Sequence, residues 1–376
     1  NAMICTQKDI LFMLHLPPPV HGSTMVGELI KESFLLNESF HGRYINLILS
    51  QKVSESGKAN IKKLGRYIII WFRLLGKLIQ RKPDLCYYAL TTTGSGFYKD
   101  VLLIVLLRLF RVKIVYHIHN KGVIQGSKNR INHLFYQFVF KNSRVILLSP
   151  YLYYDIEGYV QRDQVDICPN GIKDCQPKAA YLPEPKEGPF KILFLSNLIK
   201  EKGVFVLVEA CSILRDKGYH FECDFVGGEG DVSVKQFLAF VKALKLSEQV
   251  NYLGKRYGEL KELAFEQADV FVLPSRYDCF PLVVLEAMQH NLPVITAFEG
   301  GMPDMVDDGN TGFLISRYDD VESLAEKLEY LIINPLSRKE MGKNGRIKYE
   351  HNFTLSIFER RMHNILVEVI KKTINN

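Results

Sequence analysis

Several absences narrow what this chain can be. Its seven cysteines (Cys5, Cys86, Cys168, Cys175, Cys211, Cys223 and Cys279) are odd in number and never form a Cys-x-x-Cys pair. That pattern argues against a disulfide framework or a zinc site and fits a reducing cytosol. No apolar run approaches the roughly 20 residues of a membrane-spanning helix; the longest, Val101 to Leu107, is followed at once by Arg108 and then Arg111. Met3 to Leu16 lacks a basic start and a cleavage site, so no secretion signal is expected, and Asn1 and Ala2 read as a leftover ahead of Met3. No Asp-x-Asp stands near a strand end and no Cys/His cluster is visible in the spacing, so neither a metal nor a cofactor is expected. Acidic residues are missing altogether from Val101 to Pro150.

What is present is ordinary in bulk and uneven in distribution. With 376 residues, 47% hydrophobic and 24% charged, the composition is that of a soluble globular protein with room for two domains. Residues 1–180 carry 24 Lys and Arg against 12 Asp and Glu, a net of +12, and the remainder carries −5. A basic first half suits anionic lipid, a lipid diphosphate or an acidic glycan, or is simply a solvated surface. The best surface candidate is Ile61–Lys82, where Lys62, Lys63, Arg66 and Arg73 alternate with Trp71, Phe72 and Leu74. Nucleic acid is not expected as a partner.

Short apolar runs alternate with amphipathic stretches along most of the chain, which predicts α/β architecture with parallel sheets covered on both faces. In the first half the runs are Ile10–Leu16, Tyr44–Leu49, Leu85–Leu90, Lys113–Ile118, Arg144–Leu148 and Val165–Ile167. In the second they are Lys191–Ser196, Phe221–Val226, Val250–Leu253, Val270–Leu273, Pro293–Thr296 and Phe313–Ile315. Between the halves, Asp174 to Phe190 carries four prolines and reads as a linker. A long helix from about Thr354 to Lys371 closes the chain.

The densest information lies between Ala268 and Ile315, which reads strand, acidic loop, helix, strand, Gly-Gly loop. Asp278 stands in the loop and Glu286 inside the helix that follows. A loop entering a helix offers free N–H groups and the positive end of a helix dipole, which suits a diphosphate. Pro281 has no N–H, so that duty falls to the amides of Phe280, Leu282 and Val283. Glu286 is placed to accept ribose hydroxyls and Asp278 to meet the hydroxyls of a sugar further along.

This segment resembles the group 1, or family 4, retaining glycosyltransferases, marked by Glu-x7-Glu followed by a strand and a Gly-Gly loop, with Asp278 in place of the first Glu. Asn291 to Thr296, Gly300-Gly301-Met302-Pro303 and Gly309 to Leu314 continue the likeness. The resemblance implies the GT-B fold, two Rossmann-like domains with parallel sheets facing across a cleft. The first domain would span 3–175, rejoined by a C-terminal helix at about 356–376, and the second, nucleotide-sugar-binding domain 190–355. It implies transfer of a sugar from a nucleoside diphosphate sugar to a glycan or lipid-linked acceptor, with surface polysaccharide as the commonest use. Location would be cytoplasmic, with peripheral attachment to an anionic inner membrane face.

The resemblance also assigns residues. His119, ending a strand with His117 two positions before it on the same face, matches a histidine that meets the donor sugar, whereas His117 suits a core hydrogen bond. Lys202, in Leu198-Ile199-Lys200-Glu201-Lys202-Gly203, would set its ammonium on the donor diphosphate. The family's arginine is Asn197 here, so Lys200 or Arg276 would substitute, or donor affinity and rate would fall. Gly22 would let backbone approach a phosphate or the acceptor, Gly227 lies in a strand exit near the nucleotide, and Lys255 with Arg256 would contact base or phosphates. Pro169-Asn170-Gly171 is both a turn signal and a family feature. The departures at Asn197 and Asp278 keep a rival open, a GT-B chain without activity that serves as scaffold in a glycan assembly complex.

Overall fold

The computed structural model describes residues 7–49, 61–175 and 188–374. The chain divides into two compact units, Asn1–Asn170 with Ser356–Asn376, and Gly171–Leu355. In the first unit the elements run β1 (Lys8–Leu14), α1 (Gly22–Glu32), α2 (Phe34–Ser39), β2 (Phe40–Asn46), α3 (Ile61–Gln80), β3 (Leu85–Leu90), α4 (Gly94–Leu109), β4 (Ile114–Ile118), α5 (Val123–Gly126), α6 (Arg130–Phe140), β5 (Arg144–Leu147) and β6 (Val165–Ile167). The second holds β7 (Phe190–Leu195), α7 (Val204–Asp216), β8 (Phe221–Val226), α8 (Val234–Ala243), β9 (Val250–Gly254), α9 (Glu259–Gln267), β10 (Val270–Leu273), α10 (Leu282–Gln289), β11 (Val294–Ala297), α11 (Met302–Met305), β12 (Gly312–Ile315), α12 (Val321–Ile333) and α13 (Pro335–Asn352). Then α14 (Leu355–Ile374) returns to the first unit.

Each unit is built on a six-stranded parallel sheet, ordered β2-β1-β3-β4-β5-β6 and β12-β11-β10-β7-β8-β9. Every residue of β3, β4, β10 and β11 is buried, as continuous apolar runs covered on both faces require. In both sheets the order reverses once, between β1 and β3 and between β10 and β7. Ligands of open α/β sheets gather beyond the carboxyl ends of the strands at such a reversal.

Two sequence expectations shift. The second strand runs Phe40–Asn46 instead of Tyr44–Leu49, because a parallel strand extends only where its partner does: Lys8 to Leu14 pair with Phe40 to Asn46. Beyond Leu14 three prolines turn β1 away. The Asn46 side chain accepts from the amides of Leu16 at 3.1 Å and Ile48 at 3.0 Å and ends the ladder. The first unit also stops at Asn170, earlier than 175. Ile172 instead joins the second unit, donating its N–H to Phe353 O at 3.0 Å and accepting from Leu355 N at 2.8 Å. The chain therefore enters and leaves the second unit side by side. Most of the proline-rich linker lies outside the described residues.

Candidate functional site

The reversal between β7 and β10 brings together the two loops that carry most of the singled-out residues. After β7 the chain makes a short turn, Lys200–Lys202, closed by Gly203 at φ +83°. A Cβ on Gly203 would lie 2.5 Å from Pro274 O, so only glycine lets this loop rest on the end of β10. Lys202 is thereby presented to Asp278, and the two form an ion pair with side chains 16% and 15% exposed. Ser275 Oγ accepts from the amides of Tyr277 at 3.1 Å and Asp278 at 3.3 Å and shapes the acidic loop.

Lys202 holds Oδ1 of Asp278, and Oδ2 is buried with no hydrogen-bond partner. Glu286, one turn into α10, repeats the arrangement: Lys261 of α9 donates to its Oε1 at 2.7 Å, and Oε2 is buried and unpartnered. Burial pushes the Glu286 carboxyl above its ordinary range, and Lys261 opposes that rise. Two carboxylates thus each offer one desolvated acceptor, which costs stability unless a donor meets it. Lys261 was invisible in the sequence, where it is one more charge on a polar helix.

Around β8 and β9 stand Asn197, Gly227 and Lys255. Asn197 Oδ1 accepts from Gly228 N at 3.0 Å, so this side chain braces the strand exit. Gly227 has φ +154°, and a Cβ on it would lie 1.9 Å from Ser196 O. A Cβ on Gly228 would be 3.3 Å from both Asn197 Oδ1 and Lys255 Nζ. Lys255 is thus a cation brought near Asn197, in addition to the Lys200 and Arg276 named from the sequence. Arg276 is bound to Glu201 at 2.5 Å and to the Tyr318 hydroxyl at 3.0 Å, and Lys200 lines a separate cleft with Phe205, Asp231 and Gln236. Phe280 has its ring buried edge-on to Phe353, with centroids 5.6 Å apart. Leu282 and Val283 open α10, and their amides precede the first intrahelical acceptors.

In the first unit, His119 follows β4 and its ring centroid lies 4.1 Å from that of His117. His117 is fully buried and its Nδ1 hydrogen-bonds the Tyr87 hydroxyl. Burial drives His117 well below the usual histidine range, and pushes His119 down to about 4 with help from His21. His15 joins them from the end of β1; burial, then Lys99 and the neighbouring histidines, hold it neutral as well. Its Nε2 is 3.4 Å from Thr91 Oγ1, so the loops after β1 and β3 meet at this sheet's reversal. These imidazoles are uncharged hydrogen-bonding groups at neutral pH. Gly22 begins α1 with nothing within 4 Å of where a Cβ would be, whereas a Cβ on Gly27 would lie 2.0 Å from His15 O. Close backbone packing here depends on Gly27, which the sequence pattern did not single out.

Three side chains of metal-ligating type also come together in the second unit. Cys175 Sγ, a Glu262 carboxylate oxygen and a His290 ring nitrogen lie within 4.8 Å of one another. They come from a loop, from α9 and from the residue after α10, so no local motif announces them.

Residues 182–348 match the family described as "Glycosyl transferases group 1". Among curated proteins, the chain is 27% identical over 187 residues to the capsular polysaccharide biosynthesis glycosyltransferase CapM of Staphylococcus aureus, covering 49% of this chain and 47% of CapM. It is 29% identical over 184 residues to the amylovoran biosynthesis glycosyltransferase AmsK of Erwinia amylovora, covering 47% and 44%. The match spans about half the length of these relatives. The structure of Anabaena Alr3699/HepE in complex with UDP superposes with a TM-score of 0.73 at 16% identity, covering 96% of this chain and 100% of that one. Residues 182–348 thus match the group 1 glycosyltransferases, and the chain, with a parallel α/β sheet in each unit, has the GT-B fold.

Proposed function

We propose that the protein transfers a sugar, with retention and without a metal or cofactor, from a nucleoside diphosphate sugar to a hydroxyl of a glycan or lipid-linked acceptor. The observation that carries this reading is the pair of carboxylates, Asp278 and Glu286, each fixed through one oxygen by a lysine and each with a buried second oxygen unpartnered. Ribose hydroxyls on Glu286 and sugar hydroxyls on Asp278 would satisfy both. The diphosphate between them would meet the amides of Phe280, Leu282 and Val283 and the Lys202 ammonium, which stabilises charge as the sugar leaves. Lys255, near Asn197 at the same strand exit, would add positive charge there. The leaving phosphate oxygen would assist the incoming hydroxyl on the same face. The relatives' names support a surface polysaccharide as the product class, and the HepE complex makes UDP the first nucleotide to try.

Calorimetry with UDP, GDP and ADP, each with and without magnesium, tests the reading. One nucleotide is expected to bind tightly with an affinity that magnesium does not change. Binding by none would favour the scaffold role.

The acceptor side is read from the first unit. Among the described residues no helix is long and apolar enough to cross a membrane. Yet α3, α4 and α6 expose Ile69, Phe72, Leu102, Leu109 and Leu134, beside exposed Arg73, Arg111 and Lys141. Apolar side chains set among cations suit an anionic bilayer surface, and we assign the protein to the cytoplasmic face of a membrane on that ground. Sedimentation with vesicles containing anionic lipid is expected to carry the protein down, and neutral vesicles to leave it in solution. Equal behaviour with both would remove the assignment.

A further inference from the structure

We propose that Cys175, Glu262 and His290 form a binding site for a zinc-class divalent cation, distinct from the carboxylate pair of the donor site. The donor set decides the class. A thiolate, an imidazole and one carboxylate match the borderline-soft preference of zinc and its neighbours, whereas magnesium and calcium take sites made of oxygen.

The ligand atoms are spaced within reach of a tetrahedral centre. Zinc–ligand bonds of about 2.0–2.3 Å separate neighbouring ligand atoms by roughly 3.3–3.8 Å. Here His290 Nε2 is 3.0 Å from Glu262 Oε2, and the three ligand atoms lie within 4.8 Å of one another. Side-chain movements of about 1 Å would complete three bonds and leave a fourth position for water.

The surroundings resemble those of metal sites. His290 Nδ1 lies 2.8 Å from Glu286 O; donating there fixes the tautomer in which Nε2 carries the lone pair, the usual role of a supporting contact behind a metal-bound histidine. Its ring stacks on Phe265, with centroids 4.9 Å apart and planes at 16°. Cys175 is placed in advance by the residues before it: Gln289 Nε2 donates to Lys173 O at 2.8 Å, and Arg346 pairs with Asp174 at 3.0 Å. Gln289 Oε1 also accepts from Cys175 Sγ at 2.9 Å. On binding, the cation takes the place of the thiol proton, which leaves to solvent as a sulfur–metal bond forms. An ion here would tie α9, the end of α10 and the loop after Gly171 into one rigid corner, directly behind Glu286.

The test is a titration of the metal-free full chain with zinc alone against a chromophoric chelator, repeated with cobalt as a spectroscopic probe. One zinc per chain is expected, together with a rise in melting temperature and a cobalt absorption band from thiolate-to-metal charge transfer. Cys175→Ser should abolish that band, and Cys175→Ser and His290→Gln should each weaken zinc binding by more than the roughly 10–100-fold that loss of a supporting residue causes. Glu262→Gln, at a side chain 42% exposed, serves as a third variant that should fold normally and still bind zinc more weakly. No zinc uptake by the parent chain, no thiolate band, or undiminished uptake by Cys175→Ser and Glu262→Gln would each overturn the proposal.

Discussion

Lys202→Ala is expected to lower kcat by about 10²–10³-fold while changing the affinity for free nucleotide much less. The reason lies in when the ammonium is needed. Negative charge on the diphosphate grows as the bond to the sugar breaks, so a fixed cation stabilises the transition state more than the bound donor. In the free protein that ammonium is paired with Asp278, both side chains being largely buried. Removing it also leaves Asp278 with two unpartnered oxygens, at a cost of about 1–3 kcal/mol in stability. The two effects can be separated. Asp278→Asn alone should disturb placement of the sugar, and the double variant Lys202→Ala/Asp278→Asn should regain melting temperature without regaining turnover. If Lys202→Ala kept turnover near the parent value, the lysine would be only the structural partner of Asp278, and the transfer mechanism built on it would fall.

The parts of this arrangement that sequence reveals are those encoded locally. Continuous apolar runs such as Val270 to Leu273 mark fully buried parallel strands, and strand alternation puts His117 and His119 on one face, where their rings touch. The acidic loop and the helix after it are legible because loop, strand and turn chemistry lie within fifty residues of each other. What stays hidden depends on contacts between distant segments. The shift of β2 follows from where β1 bends away, which its own residues do not encode. Lys261 looks like any lysine on a polar helix until α9 packs beside α10. Asn197 reads as a lost cation, yet its amide braces Gly228 while Lys255 arrives from the next strand. The group of Cys175, Glu262 and His290 has no spacing signature because each residue comes from a different element. Sequence patterns show which residues share an element; side-chain partnerships across the sheet reversal require the fold.

Glu286→Gln should weaken binding of the preferred nucleoside diphosphate by about 10–100-fold, the loss of roughly 1.5–3 kcal/mol that hydrogen bonds to a charged acceptor contribute. The lysine behind it separates a ligand-binding role from a structural one. Glu286 and Lys261 are 22% and 25% exposed, so breaking the pair should cost less than the roughly 3–5 kcal/mol of a fully buried one. Lys261→Met should therefore lower the melting temperature. It should also leave burial opposed only by His290, so that Glu286 takes up a proton at still higher pH and nucleotide affinity falls sooner on acidification. In Lys261→Met/Glu286→Gln the buried charge is gone from both sides, so stability should return while affinity stays low. Recovery of affinity together with stability would mean that Glu286 serves only to anchor α9 against α10, and ribose recognition would have to lie elsewhere in the second unit.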